Sequence, residues 1–147
     1  MDDADIHRYI VETYPDTDVA TAGGGRFYSL DPETHWPNFA TLVTTDEFDD
    51  ASNLGRPGVF RLNIGVTGRT FGRILGPAAE PGATVDYAAL DTLLPHPVYA
   101  AQHWLSVLNP SDATFETAVR PLLDEAYGIL ARRRDRARHA QAADRAG

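Results

Sequence analysis

Residues 59–66 carry the cleanest alternation in the chain. Phe60, Leu62, Ile64 and Val66 fall on one face, and Val59, Arg61, Asn63 and Gly65 on the other. A period of two predicts a β-strand with its apolar face on a core and its polar face toward water. Residues 3–14 instead place Ile6, Tyr9, Ile10 and Thr13 at helical spacing, with aspartates at the positive end of the helix dipole and Pro15 as a stop. Val19-Ala20-Thr21 and Arg26-Phe27-Tyr28-Ser29-Leu30 flank Ala22-Gly23-Gly24-Gly25, which reads as a hairpin. The β-branched run over residues 39–45 predicts a third strand.

Further along, residues 70–75 begin a short helix. Residues 86–93 predict a second one, capped by Thr84 or Asp86, and residues 104–108 the last strand. From about Thr114, an apolar stripe of Phe115, Val119, Leu122, Ala126, Ile129 and Leu130 marks a long helix. Pro121 falls inside that stripe, so the helix must start later or kink there. These elements predict a single α/β (α+β) domain over residues 1–131, a mostly antiparallel twisted sheet packed by the N- and C-terminal helices. Residues 132–147 are Arg/Ala-rich and read as a fraying helix end or a disordered tail.

Composition narrows the chemistry. There is no cysteine among the 147 residues, which removes disulfides, thiolate catalysis and cysteine metal sites. The acidic start, Met1-Asp2-Asp3-Ala4-Asp5, lacks the order of a signal peptide, and no apolar run approaches the ~20 residues of a membrane span. A soluble cytoplasmic protein without membrane partners is therefore expected. Charge is unevenly placed: residues 1–131 set seven arginines against nineteen acidic residues, a net of −12, and residues 132–147 set six against two, a net of +4. A body so acidic repels phosphate backbones, so nucleic acid is not an expected partner.

No stretch carries an established catalytic motif. Gly65-Val66-Thr67-Gly68-Arg69-Thr70 fails the spacing of a phosphate loop, which leaves Thr67 as a helix N-cap or, less simply, an anion site beside Arg69. Gly23-Gly24-Gly25 precedes a strand and is a turn rather than a dinucleotide fingerprint. Asp46-Glu47-Phe48-Asp49-Asp50 lacks the pattern of a calcium loop and reads as solvated. Three histidines are of more interest. If the third and last strands are neighbours, His35, His96 and His103 converge at one end of the sheet, where imidazoles can bind metal or move protons. Trp36, Phe39, Tyr99 and Trp104 are either core aromatics or the lining of an apolar pocket anchored by Arg61 and Asn63.

The order of these motifs is also familiar. His35-Trp36-Pro37 with Phe39-Ala40-Thr41, then residues 56–66, then His96-Pro97-Val98-Tyr99, Trp104-Leu105-Ser106-Val107-Leu108 and Leu122-Leu123 with Ala126-Tyr127, resemble a family of uncharacterised proteins of similar length from high-GC bacteria. The resemblance covers about residues 3–131 and implies no reaction. The Trp104 strand with its following helix is similar, more distantly, to the end of MmcQ/YjbR-like proteins. That likeness implies a double-wing arrangement, an antiparallel sheet with helices on one side. The DNA-binding role often attached to such proteins does not suit an acidic body.

The functional expectation is a binding module that holds a small ligand or a protein partner on the sheet face or in a pocket at its edge. Its candidate contacts are His35, Trp36, Arg61, Asn63, His96, Tyr99, His103 and Trp104. No motif calls for a cofactor or a resident metal. Two other readings rest on other features: a small, possibly metal-dependent enzyme built on the three histidines, and nucleic-acid binding through the Arg-rich tail.

Overall fold

Asp2 opens the first helix with a reciprocal cap. Its side chain accepts the Asp5 N–H at 2.8 Å, while Asp5 accepts the Asp2 N–H at 2.9 Å, and α1 runs over Asp3–Thr13. The computed structural model describes residues 1–146. After α1 come the hairpin strands β1 (Asp18–Ala22) and β2 (Gly25–Ser29). Gly23 and Gly24 join them with φ of 54° and 78°, the left-handed pair that a two-residue turn of this kind requires. Strand β3 (Asn38–Val43) stops short of residue 45 because the Thr44 and Thr45 hydroxyls turn to donate to the carbonyls of Gly24 and Gly23.

Strands β4 (Arg61–Gly65), β5 (Leu93–Pro95) and β6 (Trp104–Leu108) complete one sheet in the order β1-β2-β3-β4-β6-β5. Every strand pair is antiparallel. One short expectation fails here. The helix predicted over residues 86–93 is absent: Asp86 accepts the Ala88 N–H and Asp91 accepts the Ser111 N–H, local bonds that compete with a helix. Leu93 and Leu94 are drawn instead into β5, a strand the sequence pattern did not announce, by pairing with Val107 and Ser106.

Helix α2 (Gly68–Leu75) starts at the N-cap Thr67. At the C-terminal end, α3 (Asp112–Thr114), a π-helical turn (Phe115–Val119) and α4 (Arg120–Ala146) follow one another without interruption. Pro121 has no N–H to donate, and the wider turn just before it lets the helical rod pass through the proline rather than end there. The rod stays helical to Ala146, with residues 135–146 exposed; residue 147, the last of the expected tail segment 132–147, lies outside the described residues. Among the described residues no helix is long and apolar enough to cross a membrane.

Helices cover one face of the sheet. Ile6 and Ile10 of α1, Phe71 of α2 and Leu122, Leu123 and Ala126 of α4 join Ala40, Leu42, Leu62, Ile64, Leu105 and Val107 in the main core. Phe39 belongs to this core rather than to a pocket. The opposite face, expected to be wet, is not. Arg61, Asn63 and Ser106 are each within 2% of full burial there, and Val43, Leu54, Leu94 and Leu108 form a second apolar cluster. Loop residues 46–59 and the turn after β5 supply the cover. That second layer makes the candidate site.

Candidate functional site

Register places Arg61 between Val43 and Leu108, so a guanidinium emerges from an apolar strip of sheet. A charge in that setting must be paired and hydrogen-bonded. Arg61 donates from Nε to Asn63 Oδ1 at 3.0 Å and from Nη1 to Ser52 Oγ at 2.9 Å. It also grips Asp49 with two bonds, Nη1 to Oδ1 at 3.0 Å and Nη2 to Oδ2 at 2.7 Å. Those bonds hold the Asp49 carboxyl below the usual range. Asn63 extends the network sideways across three strands. Its Oδ1 accepts the Ser106 hydroxyl at 2.7 Å and its Nδ2 donates to Thr41 Oγ1 at 2.9 Å.

His96 sits at the same floor, directly after β5, and is 5% exposed. Its Nδ1 accepts the N–H groups of Val98 and Tyr99, both at 3.0 Å, so in the neutral ring the proton resides on Nε2. Burial first, and the Arg61 charge second, push its pKa down to about 4, with Asp49 opposing. At neutral pH the floor therefore holds one compensated ion pair and an uncharged imidazole.

Aromatic side chains stand around this floor. The Trp104 indole lies against Gly65, its register partner, where a Cβ would meet the ring at 2.9 Å. Tyr99 packs on His96 with ring centres 5.0 Å apart, and Phe48 meets Phe27 edge-on at 5.4 Å. Trp36 and Val98 complete the rim. The cleft is open on one side and measures about 500 Å³, within the range of small-molecule sites. Its rim is unusual for a protein surface. Of seven large apolar side chains left exposed among the described residues, Trp36, Phe48, Val98 and Tyr99 all belong to it. A cluster of that kind marks an interaction site more often than scattered exposure does.

Trp36, Arg61, Asn63, His96, Tyr99 and Trp104, six of the eight expected contacts, thus line one cleft. His35 and His103 do not. The histidine convergence required β3 and β6 to be neighbours, and β4 lies between them. His35 Nδ1 is 2.6 Å from Asp18 Oδ2 on β1. His103 takes a left-handed backbone before β6 and packs on Gly68 and Phe71, on the helix-covered side. Among the described residues no three histidine, cysteine or carboxylate side chains stand together as a metal-ligand set. The premise of a three-histidine site is overturned.

The anion site imagined beside Arg69 is also filled from within. Glu125 of α4 accepts the Thr67 N–H at 3.0 Å and the Thr70 hydroxyl at 2.6 Å, placing the protein's own carboxylate at the start of α2.

Residues 1–140 match the model of a family of unknown function, DUF6194. The chain belongs to that family. The DUF6194 match spans all six strands and most of α4, so fold and cleft both lie inside it. No curated protein and no solved structure matches the chain.

Within this DUF6194 fold, sequence reasoning missed Phe27, Thr41, Phe48 and Asp49. Asp49 and Phe48 came from a stretch read as a solvated acidic loop. One signal was present: an aromatic amid acids, with an arginine on the alternate face of a strand, invites a carboxylate from elsewhere in the chain to cover it.

Proposed function

We propose that this chain is a binding module for a small organic ligand held in the cleft of the second sheet face. The observation that carries the reading is the pairing of a hydrogen-bonded polar floor with a rim of exposed aromatic rings. A concave site with few, well-placed polar groups suits a small molecule better than a flat protein interface, which spreads its contacts over a larger area. The floor itself is already organised, since Arg61, Asp49, Asn63 and His96 are held by their neighbours before any ligand arrives, and this lowers the cost of binding. The acidic body and the lack of any side chain on the cleft that is cationic at neutral pH other than the paired Arg61 favour this reading over nucleic acid.

Both tryptophans of the protein, Trp36 and Trp104, border the cleft. Intrinsic fluorescence therefore reports on its occupancy. A library of small aromatic compounds would be screened by tryptophan emission and by thermal shift. Hits are expected to bind about tenfold more weakly to Phe48→Ala and Tyr99→Ala, each of which removes an exposed ring at little cost to the fold. Hits that bind these variants as well as the wild type place the site elsewhere, and a library without hits counts against the reading.

A further inference from the structure

The hydrogen-bond balance of the cleft floor narrows what it can hold, taking the proposed binding role as its basis. Arg61 has five N–H donors and uses four of them in its bonds to Asn63, Ser52 and Asp49, so one Nη2–H is spare. Asn63 spends one Nδ2–H on Thr41 and keeps the other, while its Oδ1 is saturated by Arg61 and Ser106. The Thr41 hydroxyl accepts from Asn63 and has its own proton without a partner. His96 turns its acceptor nitrogen to two backbone N–H groups and has Nε2–H left over. Four side chains of one floor thus hold unspent donors.

On the inner floor acceptors are scarcer than donors, the open ones of the cleft lying on Asn38, Tyr99 and Gln102 around it. Asp49 receives Arg61 on both oxygens and the Ala51 N–H as well. Asn38 Oδ1, where the cleft meets the hollow behind β6, is the one buried side-chain acceptor without a partner among the described residues. Charge gives a second constraint. The Arg61 charge is compensated at 2.7 Å by Asp49, and the chain as a whole carries −8. An anion would find donors here but no net positive charge, and would lose its hydration for little return. A cation would find no free carboxylate. The rim adds the third constraint, since rings of Trp36, Phe48, Tyr99 and Trp104 offer flat apolar contact.

We propose that the cleft selects an uncharged, planar aromatic molecule that turns carbonyl-type acceptors toward Arg61, Asn63, Thr41 and His96 and lays its ring among the rim aromatics. The donors read the acceptor edge, and the aromatics hold the plane.

Three probes of one ring size test this on the full chain by isothermal titration calorimetry: quinolin-2(1H)-one, 2-naphthoate and naphthalene. The uncharged lactam is expected to bind at least about tenfold tighter than either other probe, the effect of one to two well-made hydrogen bonds to otherwise unpaired donors. Thr41→Val, which keeps the shape and removes one donor, is expected to weaken the lactam several-fold and leave naphthalene unchanged. If naphthoate binds best, the site takes anions and the proposal falls. If naphthalene equals the lactam, or Thr41→Val weakens all three alike, the donors are not read and it falls too. In these cases loss of binding in Tyr99→Ala keeps the cleft as the site. If none of the three binds, the cleft reading and the proposal fall together.

Discussion

Arg61 and Asp49 face each other through two near-parallel hydrogen bonds, with side chains only 2% and 13% exposed. Arg61 is the first residue of β4 and Asp49 comes from a loop twelve residues earlier, so the pair ties the cover of the second sheet face to the sheet itself. Bidentate pairs of this kind are the strong class of ionic contact. Removing one partner strands a buried charge, which costs more than the pair contributes. Asp49→Ala is expected to lower stability by about 3–5 kcal/mol. The double change Arg61→Met with Asp49→Leu is expected to be the milder one, because no charge is left behind. Urea midpoints at unchanged slope would rank the two, and the reverse order would show that the pair is not buried as described.

His96 makes stability depend on pH. Its pKa falls from 6.5 to about 4 on folding, so the unfolded chain binds the extra proton between those values. Stability is then complete above about pH 6.5 and is lost as pH falls toward 4, by up to about 3 kcal/mol for this group. His7 is shifted the same way by burial and by nearby arginines, so wild type alone does not separate the two. His96→Asn keeps an acceptor for the Val98 and Tyr99 N–H groups and is expected to lose much less stability between pH 7 and pH 5. Equal slopes in the two proteins would contradict a buried neutral imidazole.

Glu125 caps α2 from a distant helix. Glu125→Ala removes the acceptor of the Thr67 N–H and of the Thr70 hydroxyl, and is expected to cost about 1–2 kcal/mol. Glu125→Gln keeps one acceptor oxygen and is expected to recover part of that loss. Thermal melts of the three proteins would show the gradation.

Gly65 holds space for Trp104. With a Cβ 2.9 Å from the indole, Gly65→Ala is expected to displace the ring, change tryptophan emission and cost about 1–3 kcal/mol. An unchanged emission spectrum would mean that the indole does not rest on this glycine.

The exposed end of α4 is expected to be dispensable. Residues 135–146 line neither the cleft nor the core, so a chain ending after Arg134 should melt within about 0.5 kcal/mol of the full one and keep any small-molecule affinity. A large loss of either would assign the Arg-rich segment a role in the domain.

Much of this molecule could be read from its sequence because much of it is local. The alternation of Phe60, Leu62, Ile64 and Val66 is set by the pleat, the turn at Gly23 and Gly24 by the left-handed backbone those two residues reach without strain, and the start of α2 by the Thr67 hydroxyl. These are short-range effects, and a neighbouring strand does not change them. The antiparallel architecture followed from the same signals. So did six of the cleft residues, because an arginine, an asparagine and several aromatics in polar-face positions are legible as an anomaly wherever the strands pair.

What the tertiary structure alone decided were the partners. Strand order put β4 between β3 and β6, and that separated His35, His96 and His103. Pairing with β6 pulled Leu93 and Leu94 from an expected helix into β5. Above all, the face of β4 judged wet became a second buried layer, because residues 46–59 fold back and Asp49 meets the Arg61 guanidinium. None of these is visible in a periodicity, since a strand's pattern says which side is apolar but not what will come to lie on the other. Burial of the polar face depends on contacts between segments far apart in the chain, and only the folded arrangement sets which of them meet.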